Sequence, residues 1–381
     1  MFRFLKDKLR LALARRANKV FLSLGWINSE AIVNERPKSN KRVVFVIPAI
    51  AKGSGGHTSV LRLGTYLSGH GHSVFYAVQN CDIDEQNSQA GECLKNYGGK
   101  IVLFSDIENE KFDIIIATDV RSVYYAKKLN GYKMIFVQDY EPLFFETGDY
   151  SYIAERVYRM GFHLVSLGEW NKQMIRTHID ENLQVDTIPF PYEKSEYTYE
   201  ERDYSALKDK KELKLCVYIR RTPRRMPGLC QLIAKNLTER FAADGIKLNV
   251  IYFGEDTLKY EYGKNCGKLS KEQLNCLYHE CDLGLVASGT NISLVPYEMI
   301  ATGLPIIEFK GGSFPYFFGE DDAFMFDLNY DELYADIKHA IDEPQILVDR
   351  DKRIREKLDG LSWNDSAEKF RQILENLVIN G

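Results

Sequence analysis

The chain has 381 residues, 45% hydrophobic and 27% charged, with a formal charge of -4. That length suffices for two domains, each burying its own core, and the composition is that of an ordinary soluble globular protein. The charge balance argues against a nucleic-acid partner, and no run of 18 apolar residues offers a membrane span.

The charge is uneven. Residues 1–26 hold Arg3, Lys6, Lys8, Arg10, Arg15, Arg16 and Lys19 against Asp7 alone, a local charge of +6 that leaves -10 for the rest. Phe2, Phe4, Leu5, Leu9, Leu13, Val20, Phe21, Leu24 and Trp26 are interleaved with them. A helix through this segment would be basic on part of its surface and apolar elsewhere, a form that lies in an anionic membrane surface. Docking on the protein's own surface, or a frayed terminus, is the alternative. No uncharged core or cleavage site marks a signal peptide. Residues 1–33 are taken as this N-terminal segment.

After a polar linker, Arg42–Pro48 is a β-branched run that predicts a buried parallel strand. A glycine loop, a helix over 57–69 and a strand over 73–78 complete a βαβ unit. Further strands are predicted at 100–104, 112–117, 133–137 and 163–166, so residues 41–190 form a doubly wound domain. Residues 191–212, crowded with charge and tyrosine, read as a linker. A second alternation follows: strand 213–219, helix 229–243, strand 247–253, helix 270–279, strand 283–287, and a short helix around Glu298 that leads into an apolar strand. This second domain spans 213–362, and a final helix over 365–378, capped by Asn364 or Asp365, occupies 363–381. The fold class is therefore α/β, with two Rossmann-like domains.

Seven cysteines, an odd number without C-x-x-C spacing, read as reduced thiols of a cytosolic protein. The histidines are scattered, and only His57 sits in a loop at a strand end. Asp82-Ile-Asp84 has the D-x-D spacing of metal-dependent transferases but lies in a polar loop after the second strand. No metal site is expected.

Four segments can carry chemistry. Lys52-Gly-Ser-Gly-Gly-His57 connects a strand to a helix, so Gly55 and Gly56 can bring backbone N–H groups to an oxygen-rich ligand, or simply make a tight turn. Arg220-Arg-Thr-Pro-Arg224-Arg225 places four guanidiniums after the first strand of the second domain, suited to a diphosphate or else a solvated charge run. Gln138-Asp139-Tyr140-Glu141 gathers polar groups at a strand terminus. Glu298 stands on a short helix behind the loop Ser288–Ile292, where its carboxylate can accept two ribose hydroxyls or merely face solvent.

The segment around Glu298, with Ala301, Gly303 and Pro305 in register, resembles the second half of the Glu-x7-Glu signature of the retaining GT-B glycosyltransferases of family four. Thr290 stands where that signature has its first glutamate, the catalytic-site position. Gly55-Gly56 and Leu67–Val74 resemble the N-terminal pattern of the same group. Gln138 to Pro142, with Phe144-Phe145, Gly148–Tyr150, Arg156–Arg159 and Gly168–Trp170, resembles its rhamnosyltransferase-like branch. The resemblance covers roughly residues 41–378.

It implies the GT-B fold, a last helix crossing back to the first domain, and a donor site of Gly55, Gly56, Arg220, Arg225 or Arg224, Gly254, Lys268, Leu269, Asn291, Ser293, Leu294 and Glu298. Lys268 and Leu269 would lie against the nucleobase. On the acceptor side it implies His57, Gln138 and Tyr140, with Asp139 or Glu141 orienting the acceptor hydroxyl; helix-capping or ion-pair roles for those two acids stay open. The implied reaction is metal-independent, retaining transfer of rhamnose from dTDP-rhamnose to a growing lipid-linked surface polysaccharide such as O-antigen or capsule. No cofactor is needed, and the enzyme would sit on the cytoplasmic face of the membrane. A UDP- or GDP-hexose donor and a non-catalytic glycan-binding role are the alternatives.

Overall fold

The computed structural model describes residues 18–378 except 80, 194 and 257–259, together with residues 8, 11, 12, 15 and 16. Seven strands form the first sheet: β1 (Arg42–Val46), β2 (Ser73–Val78), β3 (Lys100–Leu103), β4 (Lys111–Ala117), β5 (Asn130–Val137), β6 (His163–Leu167) and β7 (Val185–Ile188). Their order is β3-β2-β1-β4-β5-β6-β7, and every neighbouring pair is parallel. The second sheet holds β8 (Glu212–Tyr218), β9 (Lys247–Phe253), β10 (Lys264–Asn265), β11 (Leu283–Leu285), β12 (Ile306–Phe309) and β13 (Phe324–Phe326) in the order β10-β9-β8-β11-β12-β13, again parallel.

The central strands are largely apolar because both faces are covered. Val43 and Phe45 enter one core cluster while Val44 and Val46 enter another, and Ile114 and Ile116 alternate with Ile115 in the same way. Such period-two division between two buried layers is what a parallel sheet with helices on both sides requires. The helix Gly55–Gly69 approaches β2 closely at Gly64, where a Cβ would lie 2.1 Å from the Tyr76 hydroxyl.

The last helix, Trp363–Asn376, packs on the first domain: Phe370 lies 6.4 Å from Phe45 and 5.8 Å from Phe136, ring centre to ring centre, and the Ser366 hydroxyl donates to the Pro189 carbonyl. Its N-cap is Ser362, not Asn364 or Asp365. Ser362 is the last extended residue, and its hydroxyl accepts from the Asp365 amide, which places both predicted caps inside the first turn. Phe104 begins a short helix, Phe104–Ile107, instead of ending β3. Asp82 caps the helix Ile83–Cys93.

Residues 27–34 are bound to the first domain. Ile27 and Ile32 pack against its core, the Ile32 amide donates to the Met160 carbonyl, and the Asn34 side chain bonds both Lys133 backbone groups. Of the N-terminal segment, Phe2, Arg3, Phe4, Leu5, Lys6, Leu9, Arg10 and Leu13 lie outside the described residues. Residues 18–22 are helical.

Candidate active site

In each sheet the strand order reverses once, between β1 and β4 and between β8 and β11, and ligands of doubly wound sheets sit beyond the carboxyl ends at that point. Here loops from the carboxyl edges of the two sheets meet. Asp139, two residues after β5, reaches across: its Oδ2 accepts from the Thr290 hydroxyl at 2.8 Å, and its Oδ1 accepts the Asn291 amide at 3.0 Å and its own neighbour Tyr140's amide at 2.9 Å. The Asn291 side chain donates to the carbonyls of Gln138 (2.7 Å) and Leu167 (3.2 Å), so the contact is a two-sided clamp. Thr290, which has no carboxylate of its own, thus meets one from the other domain.

Cations close around it. Arg224 Nη1 stands 3.6 Å from Asp139 Oδ2, and its guanidinium lies 4.1 Å over the Phe144 ring. Arg225 is buried behind it, with Nη1 3.5 Å from the Asn291 carbonyl. Burial pushes the Asp139 pKa up against the pull of the Asn291 amide and both guanidiniums. Arg220, the residue matched to the first phosphate-binding arginine, is exposed and forms no ion pair among the described residues. Arg221 is 3.7 Å from Glu255.

The loop Ser288–Ser293 is fixed from beneath by Glu308, a fully buried acid on β12 that sequence reading passed over. Its carboxylate accepts from the Ser288 hydroxyl (2.6 Å), the Ser288 amide (3.1 Å) and the Phe309 amide (2.8 Å), while burial raises its pKa to about 7. A lone glutamate inside Ile306-Ile-Glu-Phe309 was the available signal, since unpaired acids are seldom buried. At Gly312, in the turn after β12, a Cβ would fall 2.1 Å from the Ser288 carbonyl oxygen, so only glycine lets the chain pass.

Glu298 sits within the helix Leu294–Ala301, with Ser293 as its N-cap residue and Leu294 at its first position. The Tyr278 hydroxyl donates to Glu298 Oε2 at 3.1 Å. Burial raises Glu298 to about 7, and the neighbouring Tyr278 and Tyr197 hydroxyls offset only part of that rise. The Ser293 hydroxyl and the Asn291 Oδ1 are buried without a hydrogen-bond partner.

On the first domain, Ser54 caps the helix that Gly55 and Gly56 open, and the Gln138 side chain lies against Gly56. His57 Nδ1 accepts the Ala51 amide at 2.9 Å, which puts the neutral ring's proton on Nε2; burial lowers its pKa. Glu141 accepts the Val120 amide at 3.1 Å and so caps the helix Val120–Ala126 together with Asp119. Burial, then the Asp119 charge, lift Glu141 to about 8. Asp119, missed in sequence, was signalled by its capping box with Ser122. Tyr140 does not face the cleft surface: its buried ring stacks on Tyr158 and His178 as part of the core.

Gly254 follows β9 with φ +103°, and its amide donates to the Gly267 carbonyl. The Lys268 amide donates to Asp256, and Leu269 is half-buried against the core. The structure therefore gathers Gln138, Asp139, Arg224, Arg225, Thr290 and Asn291, and leaves Arg220 in solvent. Among the described residues no three His, Cys, Asp or Glu side chains converge as metal ligands, and no helix is long and apolar enough to cross a membrane.

Known structures share this fold. HepE from Anabaena, solved with UDP-glucose, superposes with a TM-score of 0.65 at 12% identity, over 88% of this chain and 99% of that one. Sucrose-phosphate synthase from Thermosynechococcus elongatus gives 0.64 at 13% identity, over 88% and 98%. The fold is GT-B. In sequence, the O-antigen biosynthesis protein RfbC of Myxococcus xanthus is 27% identical over 206 residues, 51% of this chain but only 15% of that protein. No protein-family model matches the chain.

Proposed function

We propose that this GT-B chain is a glycosyltransferase that moves rhamnose from dTDP-rhamnose to a growing lipid-linked surface polysaccharide, with retention and without a metal ion. The observation that carries the reading is the clamp of Asp139 on Thr290 and Asn291 beside Arg224 and Arg225, which sets a carboxylate and two guanidiniums at one point between two ligand edges. Guanidiniums in a site poor in water stabilise a departing diphosphate without reorganising at the moment of reaction. Glu298 takes the ribose, and Asp139 orients the acceptor hydroxyl once the donor parts it from Thr290. The likeness to RfbC supports a surface-glycan product. HepE's complex with UDP-glucose makes that nucleotide sugar the specific rival.

Calorimetry with dTDP-rhamnose, UDP-glucose and GDP-mannose tests the reading. Tightest binding of dTDP-rhamnose, with turnover insensitive to EDTA, is expected. Preference for UDP-glucose overturns the rhamnose assignment, and binding of none overturns the transferase reading.

The acceptor's lipid places the enzyme on the inner leaflet. Exposed Leu22, Leu143, Phe144, Phe145 and Tyr150 form the apolar side of the docking surface, with Phe21 packed edge-on against Tyr150 and Tyr150 stacked on Phe145. The basic residues of 1–26 add about 1 kcal/mol each near an anionic surface. Removing residues 1–26, while keeping Ile27, Ile32 and Asn34, should abolish co-sedimentation with phosphatidylglycerol vesicles and preserve nucleotide affinity. Equal sedimentation by both proteins would show that the segment only packs on its own domain.

A further inference from the structure

A cavity of about 670 Å³ lies where the first domain, the second domain and the terminal helix meet; Glu169, Phe190, Tyr297, Tyr316, Phe317 and Gln372 contribute to its lining. None of the residues of the Asp139 clamp lines it. Its volume is that of a small-molecule site. Tyr297 is fully buried and stacked on Phe190 at 4.9 Å, so it backs the cavity wall with an aromatic ring. Tyr316 is 52% exposed. Phe317 is pressed onto Gly168, where a Cβ would lie 2.4 Å from the ring.

We propose that this cavity is a second, non-catalytic saccharide site, taking a neutral sugar unit of the glycan acceptor. The lining decides the chemical class. Glu169 already accepts from the Thr187 hydroxyl at 2.6 Å and pairs with Lys172 at 3.2 Å, and Glu368, also in the lining, is held by Arg371 at 2.7 Å. Their charges are answered, and the two oxygens of Glu368 already take four donors from Arg371, Gln372 and Tyr66, so it is Glu169 that keeps lone pairs for hydroxyls. Asp365 takes the Ser362 hydroxyl at 2.6 Å, and Lys369 lies one turn further along the terminal helix. With one cation against three carboxylates the lining does not suit a diphosphate, and with Glu169 held by Lys172 and Glu368 by Arg371 it does not suit a cation. Aromatic faces beside hydroxyl acceptors match a polyhydroxy ring with one apolar side. Because the lining comes from both domains and the last helix, an occupied site would also hold the domains at one angle.

Only the source of the sugar rests on the transferase reading; the pocket's chemistry does not. Saturation-transfer NMR on the full chain with a rhamnose disaccharide, mannobiose, lactose and glucose 1-phosphate tests it. At least one neutral disaccharide should bind, remain bound in saturating dTDP and UDP, and lose at least tenfold in affinity in Tyr316→Ala with an unchanged melting curve. If Tyr316→Ala melts early, Gln372→Ala, on the exposed face of the terminal helix, should show the same loss. No binding by any disaccharide, displacement by either nucleotide, stronger binding of the sugar phosphate, or wild-type affinity in the variants would each overturn the proposal. A chain that binds a disaccharide but no nucleotide sugar would retire the transferase reading and leave this site standing.

Discussion

The ligand edges of the two domains differ in the sign of what they present. The first offers Asp119, Asp139 and Glu141, all with pKa values lifted by burial. The second offers Arg220, Arg221, Arg224 and Arg225 from one loop, and its acids are engaged: Glu308 lies buried beneath on Ser288 and the backbone, Glu255 is 3.7 Å from Arg221, and Glu298 takes the Tyr278 hydroxyl. An edge of guanidiniums suits an anionic donor, and an edge of poorly solvated acids suits a ligand that donates hydroxyls. Where the edges touch, Arg224 and Asp139 neutralise each other, so the contact that closes the cleft is also the one a donor diphosphate must compete for.

The largest expected effect comes from the second edge. Arg225→Ala should lower kcat/KM at least tenfold, about 1.4 kcal/mol of transition-state stabilisation, while Arg220→Ala, whose side chain stands in solvent, should cost less. Initial rates decide it, and the reverse order would move the phosphate grip to Arg220.

Asp139→Asn sharpens the contrast from the first edge. It should lower kcat about tenfold while nucleotide affinity does not weaken, because Arg224 is released from its acid partner. Loss of nucleotide affinity in calorimetry would place Asp139 on the donor side instead.

Glu298→Ala should weaken nucleotide binding about fivefold, roughly 1 kcal/mol. An unchanged dissociation constant with an intact melting curve would return Glu298 to a structural partner of Tyr278.

A separate effect, on stability and its pH dependence, comes from the buried acids. Glu141 titrates near pH 8 in the folded chain and Glu308 near 7, against an ordinary 4.5, so the native state holds protons that the unfolded chain releases. Their contribution is complete below about pH 4.5 and is lost as pH rises to 7–8, by up to about 1.4 kcal/mol per unit for each group. The melting temperature should therefore fall between pH 5 and 8, and Glu308→Gln should flatten that fall. An unaltered slope in the variant would mean that Glu308 is ionised in the native state across the range.

The long strands were legible because a parallel strand buried on both faces leaves an unbroken apolar run, as in Arg42–Val46 and Lys247–Phe253. The pieces β7, β10 and β13, of two to four residues, leave no period to read. Among site residues, Arg224, Arg225, Asp139 and Asn291 stood out as polar groups at strand ends. Tyr140 misled because a tyrosine between two acids looks like a cleft residue, whereas stacking on Tyr158 and His178 buries it.

Local composition determined where the strands and their ligand-bearing loops fall, since apolar periodicity and glycine turns act over a few residues. Tertiary structure decided which of four adjacent guanidiniums enters the cleft, that Asp139 meets Thr290 across 151 positions of chain, and that Ser288 and Glu308 pair under the loop. Those outcomes depend on the angle at which two separately folded sheets face each other and on the burial that follows, and neither is written in the neighbours of any one residue.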